Sequence, residues 1–275
     1  MTIDRIGIHL GALSIRFYAL LLISGMIAGA YLAARRAPRY NLEPQLIWDG
    51  LIWAIIPGLI GARIYHILTP SPASGLSLQY YLENPLQMFA IWNGGLGIYG
   101  AIVGGVVGIY FYARRKGESL LPWLDVLAPS MALGQSIGRW GNYVNQELYG
   151  APTNLPWAIY IEPPYRTLGY EAFEYFHPLF LYESLWMLAT CIILSILAWR
   201  KREVWPQGSI LLLYLLSYAI IRFLLDFLRL DSHGIEGIPA LTTAQIVSLL
   251  FGVGAFALFV VRLRRTRTQE SPDHV

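Results

Sequence analysis

Apolar runs too long for a soluble core set the first constraint on this chain. A helix needs about 20 mostly apolar residues to cross the hydrocarbon layer of a bilayer. Candidates recur near Phe17–Ala34, Leu46–Leu68, Phe89–Ala113, Leu121–Ile137, Pro178–Trp199, Gly208–Leu228 and Leu241–Val261. Asp49, Arg63 and His66 interrupt the second of these, and Asp125 opens the fourth. Over 275 residues the chain is 56% hydrophobic and 13% charged, where a soluble domain carries roughly 25% charge. Too little polar surface remains to keep such a core in water. No alternating run points to a barrel, so helices must satisfy the backbone in lipid.

Charge sidedness tests the span count independently. Of the 20 Lys and Arg residues, thirteen fall in four clusters: Arg35/Arg36/Arg39, Arg114/Arg115/Lys116, Arg200/Lys201/Arg202 and Arg262/Arg264/Arg265/Arg267. They follow the first, third, fifth and seventh spans, so seven crossings place every cluster on one side. Positive charge is retained in the cytoplasm. The expectation is an all-α polytopic membrane protein of about seven transmembrane helices, N-terminus outside and C-terminus cytoplasmic, with a small extracytoplasmic loop subdomain. Basic residues are denser after the first apolar stretch than before it, which argues against a cleaved signal peptide. The net charge of +3 then reflects topology, not a nucleic-acid surface.

Residues 1–263 read as a single transmembrane domain with outside loops at 69–85 and 140–177, and residues 264–275 as a disordered polar tail. The second loop holds a strand-like run, Trp157–Ile161, and many aromatics suited to the headgroup layer. Cys191 reads as a small apolar core residue. Gly100, Gly104 and Gly108 recur every fourth residue, the spacing of a smooth face for close helix packing. The denser segment before them, with Gly94, Gly95 and Gly97, is either part of that face or a bent stretch that brings backbone donors to a ligand.

Once the clusters are set aside, Arg5, Arg16, Arg63, Arg139, Arg166, Arg222 and Arg229 remain, while both lysines of the chain lie in the clusters. Arginine grips phosphate or carboxylate with two parallel hydrogen bonds, so the bias fits an anionic ligand handled from the outer side. In the sixth span Tyr218, Arg222, Asp226 and Arg229 occupy one sector about 80° wide at 100° per residue. A charge at mid-membrane costs about 2.5–3.5 kcal/mol on insertion scales, so this stripe must face protein or water. It is either an Arg–Asp pair locking two helices or a ligand wall. The run from Gly138 to Gly150 packs Arg139, Asn142, Asn145 and Glu147 between glycines where the fourth span should exit. That is the chemistry of a polar pocket wall. Glu183 is an intramembrane carboxylate, a site candidate or a partner for an arginine, and His177-Pro178 opens its helix. Arg63 and His66, one turn apart, line the same cavity or its rim. No His/Cys/Asp/Glu spacing suits a metal, and no nucleotide phosphate loop occurs. A transporter for an anionic solute and a non-catalytic lipid-binding protein share these features.

Five ordered motifs carry a resemblance across nearly the whole chain. The most specific is Gly138-Arg139-x-Gly141-Asn142-x-x-Asn145-x-Glu147-x-x-Gly150. It is joined by Arg16-Phe17-Tyr18, Trp92-x-Gly94-Gly95, His177-Pro178 with Tyr182-Glu183, and Arg222-Phe223-x-x-Asp226-Phe227-x-Arg229. In these the chain resembles bacterial prolipoprotein diacylglyceryl transferase. The resemblance implies transfer of the sn-1,2-diacylglyceryl group from phosphatidylglycerol to the lipobox cysteine of a preprolipoprotein, in the bacterial inner membrane. A thioether forms and glycerol 1-phosphate leaves. It implies no cofactor, no metal and no nucleic acid; its partners are the lipid, the lipobox segment and the bilayer. Arg139, Arg222, Glu147, Tyr99 and Asp226 are the implied catalytic set. Asn142, Asn145, Gly150, Tyr18, Tyr218, Glu183, His177, Gly94 and Gly95 join Arg139 in binding substrate. Two positions depart from the family pattern: Tyr99 stands where many members have histidine, and Asp226 where a glutamate is usual. Glu147, Glu183 and the lipid phosphate are left as alternative acceptors of the thiol proton.

Overall fold

Each long apolar run forms a helix in the computed structural model. The structure describes all residues except 1, 11–12, 71–75, 92–93, 202–203, 231–233, 236–237 and 270–275, and within helices and strands omits the side chains of 10, 13–14, 234–235, 238–240 and 267–269. Eight α-helices are described: α1 Phe17–Arg36, α2 Pro44–Leu68, α3 Leu78–Glu83, α4 Ile98–Arg115, α5 Leu120–Asn145, α6 Leu179–Lys201, α7 Ser209–Asp226 and α8 Thr243–Gln269. Seven of them match the expected spans. Five, namely α1, α2, α6, α7 and α8, are long and apolar enough to cross a membrane; α4 and α5 have 18 and 26 residues.

Three boundaries differ from the sequence expectation. The third helix begins at Ile98 rather than near Phe89, because Gly94 and Gly95 adopt left-handed backbone (φ 84° and 72°) that a helix cannot use. The fourth helix runs on to Asn145, so the first half of the polar motif is helical and not part of a 140–177 loop. The last helix continues to Gln269, past residue 264 where the tail was expected to start; residues 270–275 lie outside the described residues.

Short antiparallel ladders join the helices: β1 Thr2–Ile3, β2 Gly7–Leu10 and β3 Leu13–Arg16 form one, β4 Ile159–Tyr160 with β5 Tyr175–Phe176 a second, and β6 Gly234–Ile235 with β7 Ile238–Thr242 a third. The strand-like run foreseen at Trp157–Ile161 contains β4.

The chain divides into two compact units, Met1–Ala33 with Leu124–Val275, and Ala34–Trp123. In the first, Met187, Cys191 and Leu194 of α6 bury themselves against Ile210, Tyr214, Ile221 and Leu225 of α7 and Ala128 and Ala132 of α5. Cys191 is a buried core residue, as its surroundings in sequence imply. Small residues let backbones approach: a Cβ on Gly25 would lie 2.9 Å from the Gly134 carbonyl, and one on Gly29 2.9 Å from that of Ser130. Polar contacts add direction. Ser217 of α7 accepts from the Trp186 indole at 2.9 Å and lies 2.6 Å from the Thr190 hydroxyl. Asp125 caps α7 by accepting from Gly208 N at 2.6 Å and Leu211 N at 3.0 Å, a use of carboxylate that the helix dipole favours.

In the second unit α2 and α4 pack along their lengths. A Cβ on Gly100 would collide with the Gly61 carbonyl, one on Gly104 with that of Pro57, and one on Gly108 with that of Trp53. The four-residue glycine stripe is therefore a helix contact, as its spacing implied. Gly105, one position around, would meet nothing nearer than the Ala54 carbonyl at 3.6 Å. Overpacking a tight contact costs about 1–3 kcal/mol, whereas an unobstructed helical Gly→Ala gains about 0.5–1 kcal/mol. Thermal unfolding in detergent should therefore show Gly104→Ala destabilised and Gly105→Ala unchanged or slightly more stable.

Candidate active site

The extracytoplasmic end expected for α5 carries the polar motif, and its helical continuation sets the geometry. Arg139 and Asn142 are three residues apart and so share one face; Arg139 Nη1 donates to Asn142 Oδ1 at 3.2 Å. Asn142, 7% exposed, passes the chain on: its Nδ2 donates to Glu147 Oε1 at 2.8 Å. Asn145 Nδ2 donates to the same oxygen at 3.2 Å. The turn that brings Glu147 back over Asn142 uses left-handed backbone at Gln146 and Leu148 (φ 52° and 55°), closed by Glu147 N donating to Asn142 O at 3.0 Å. Buried Gln146 fixes the turn to the outer loop by accepting from Glu162 N at 3.0 Å.

Glycines let neighbours close on this segment. A Cβ on Gly141 would strike the Tyr18 ring. One on Gly150 would lie 2.9–3.0 Å from His177 Cβ, Leu179 Cδ2 and the Leu228 carbonyl. Gly150 instead donates its N–H to His177 O at 2.9 Å and forms an isolated bridge with Arg229. His177 Nδ1 lies 3.1 Å from the Tyr182 hydroxyl, which accepts from the Trp157 indole at 2.8 Å.

The two site arginines are each held by a carboxylate from behind. Arg139 Nη2 lies 2.5 Å from Glu183 Oε1, on α6, and the Glu183 side chain is 9% exposed. Arg222 Nη1 lies 3.0 Å from Asp226 Oδ1, one turn on in α7, and Asp226 is fully buried. Both guanidinium groups stay partly exposed, at 24%. They line one cleft with Asn142, Glu183, Arg229 and the apolar Leu148, Leu179, Phe180 and Leu225. Three arginines and one carboxylate, Glu183, line it, a balance of charge suited to an anion.

The cleft brings together Arg139, Arg222, Asn142 and Glu183 of the expected residues. Asp226 stands behind Arg222. Glu147, exposed, reaches Arg139 only through Asn142, and Asn145 joins at Glu147. Tyr18, Gly150, His177 and Tyr218 do not line the cleft; Tyr218 is half-buried one turn before Arg222. The Arg222–Asp226 pair of the sixth-span stripe lies within α7 rather than between two helices, and Arg222 and Arg229 line the cleft. Sequence reading passed over the apolar lining, Leu148, Leu179, Phe180 and Leu225, which no polar motif marks.

Gly94, Gly95 and Tyr99 belong to the other unit, where Arg63 is the organising residue. Buried at 8% exposure, it donates to the carbonyls of Gln87 (2.5 Å), Met88 (2.9 Å), Gly94 (2.7 Å) and Gly95 (3.0 Å). Arg63 is thus a backbone clamp rather than an anion ligand. A Cβ at Gly95 would lie 2.5 Å from His66 Nε2, so that position tolerates no side chain. Tyr99, 65% exposed, opens α4 with its ring tilted against Tyr65. Trp92 of the same motif lies outside the described residues.

A model of the prolipoprotein diacylglyceryl transferase family matches residues 5–261. A protein of Gloeobacter violaceus named phosphatidylglycerol–prolipoprotein diacylglyceryl transferase is 41% identical over 267 residues, covering 96% of this chain and 95% of that one. Proteins of the same name from Synechococcus elongatus and Fervidobacterium nodosum are 39% and 35% identical, covering 90% and 92% of this chain and 84% of each of theirs.

The two asparagines differ in how much the fold leans on them. Stranding a buried hydrogen-bonding group costs about 1–3 kcal/mol. Asn142→Ala should lower unfolding stability by that amount, while Asn145→Ala, more exposed and with the longer bond, should cost less than about 1 kcal/mol. Chemical or thermal denaturation of the two variants side by side measures the difference.

Proposed function

Because this chain belongs to the prolipoprotein diacylglyceryl transferase family, we propose that it moves the sn-1,2-diacylglyceryl group of phosphatidylglycerol onto the lipobox cysteine thiol of a preprolipoprotein. The sulfur bonds to the glycerol carbon that carries the phosphate and the C–O bond breaks. Glycerol 1-phosphate leaves with the electron pair, and the thiol proton passes to a base. The chain lies in the bacterial inner membrane with seven helices across it, the four basic clusters in the cytoplasm and the cleft toward the outer leaflet. There it meets both its lipid donor and an exported acceptor.

The observation that carries this reading is that Arg139 and Arg222 line one cleft, each backed by a buried carboxylate. Charge grows on the leaving phosphate as the C–O bond lengthens. Donors already in place stabilise that charge without reorganising, most strongly where water is excluded. The arginines bind the phosphate, Asn142 orients the headgroup, and Arg229 adds charge on the same wall. The phosphoglycerol headgroup enters the cleft between these arginines, with the acyl chains left in the bilayer.

Thiolate is the reactive form, and a free cysteine near pKa 8.5 needs a base at neutral pH. Glu183 is committed to Arg139 at 2.5 Å, so Glu147, exposed at the outer rim and oriented by Asn142 and Asn145, takes the proton. Tyr99, a neutral phenol, donates a hydrogen bond rather than taking the thiol proton.

Purified protein, phosphatidylglycerol vesicles and a lipobox peptide test the reaction through a mass gain of one diacylglyceryl unit. Arg139→Ala should abolish that product, and near-wild-type turnover would overturn the assignment. Tyr99→Phe in the same assay should retain activity if the ring alone matters; loss of turnover would make its hydroxyl part of the machinery.

A further inference from the structure

We infer that Thr242, at the start of α8, is a positioning residue for the reaction: its hydroxyl fixes Asp226, and through Asp226 the reach of Arg222 into the cleft. The inference rests on the reading of Arg222 as a phosphate ligand and extends it to a helix that contributes no residue to the cleft wall.

The hydroxyl does two things at once. It accepts from Gln245 N at 3.1 Å while Thr242 N donates to Gln245 Oε1 at 2.9 Å. This is the reciprocal capping box that starts a helix when Thr is followed three residues later by Gln. With its acceptor side used there, the hydroxyl hydrogen is directed to Asp226 Oδ2, in a short contact. The other oxygen, Oδ1, holds Arg222 Nη1 at 3.0 Å. The two carboxylate oxygens therefore face two different elements, α7 and the α8 cap.

Asp226 needs such a partner. It is fully buried and closes the last turn of α7, where the helix dipole disfavours negative charge. A carboxylate bonded only within its own helix could rotate about its short side chain. Anchored at α8 as well, it presents Oδ1 in one direction, and Arg222 follows. Small misplacements of a binding group weaken catalysis steeply, on the order of 100-fold for about 1 Å. A hydroxyl outside the cleft can therefore govern the rate inside it.

The full-length protein in phosphatidylglycerol vesicles, with a lipobox peptide, provides the test. Thr242→Val keeps the shape and removes the donor; kcat should fall on the order of 10- to 100-fold with a smaller change in KM for the peptide. Thr242→Ser restores the hydroxyl and should recover most of the rate. Gln245→Ala weakens the cap but leaves the hydroxyl on Asp226, so it should lower thermal stability and keep most of the turnover. In an Arg222→Lys background, Thr242→Val should add little, because both changes act on the same interaction. Equal damage from Thr242→Val and Gln245→Ala would reduce Thr242 to a helix cap and overturn the inference. So would wild-type turnover in Thr242→Val, or a full additional loss in the double variant. If Thr242→Val does not fold, Thr242→Gly takes its place, since glycine is tolerated at a helix N-cap and brings no side-chain donor to Asp226. Unimpaired Arg222→Lys would instead reject the phosphate-binding role of Arg222 itself, a failure visible before Thr242 is tested.

Discussion

A guanidinium group placed at membrane depth with no counter-charge is expensive, and one fully neutralised by a carboxylate has little left for a ligand. The cleft resolves this conflict by geometry. Glu183 and Asp226 are buried, and they hold Arg139 and Arg222 from the protein side. The arginines keep part of their surface toward the cleft. Each pair is neutralised within the protein while the arginine side chain keeps part of its surface exposed. The helices α5, α6 and α7 exist in this arrangement because each supplies one part: the Arg139–Asn142 face, the Glu183 turn and the Arg222–Asp226 turn.

Holding those parts in register takes forces other than hydrophobic burial, which drives little association when lipid is the surrounding medium. Close backbone contact at Gly25 and Gly29, the Ser217 contacts to Trp186 and Thr190, and the Asp125 cap on α7 provide it. In the other unit the same logic appears as glycine contact between α2 and α4 and as the Arg63 clamp on four carbonyls. The outer-side arginines therefore divide by partner. Arg63 is surrounded by backbone oxygens and organises chain, whereas Arg139 and Arg222 are each paired with a buried carboxylate and line the cleft.

What could be read from sequence follows from which interactions are local. Apolar length gave seven helices close to their observed positions, and the four-residue glycine spacing gave the α2–α4 contact, because both are short-range patterns. The i,i+4 pair Arg222–Asp226 was equally visible on one helix face. Helix ends were misplaced where polar residues continue a helix, as Arg139 and Asn142 do in α5, since hydropathy marks the membrane and not the helix. Glu183 as the partner of Arg139 was only one of several possibilities, because the two lie 44 positions apart in sequence and meet through helix packing. The apolar cleft lining was unreadable for the same reason. The role of Arg63 was open until its four acceptors were known.

Asp226 shows how a departure from a family pattern and an unrelated local motif can be one fact. A side chain one methylene shorter than glutamate keeps its carboxylate near the end of α7, and there the hydroxyl of the α8 cap reaches it. The Thr-x-x-Gln box at residues 242–245 is legible on its own only as a helix start. Read beside Asp226, it becomes the second anchor of the pair that holds Arg222. Thr242 is also paired with Gly234 in the β6–β7 ladder that leads into α8. A short strand and a helix cap thus meet at the residue whose hydroxyl holds Asp226.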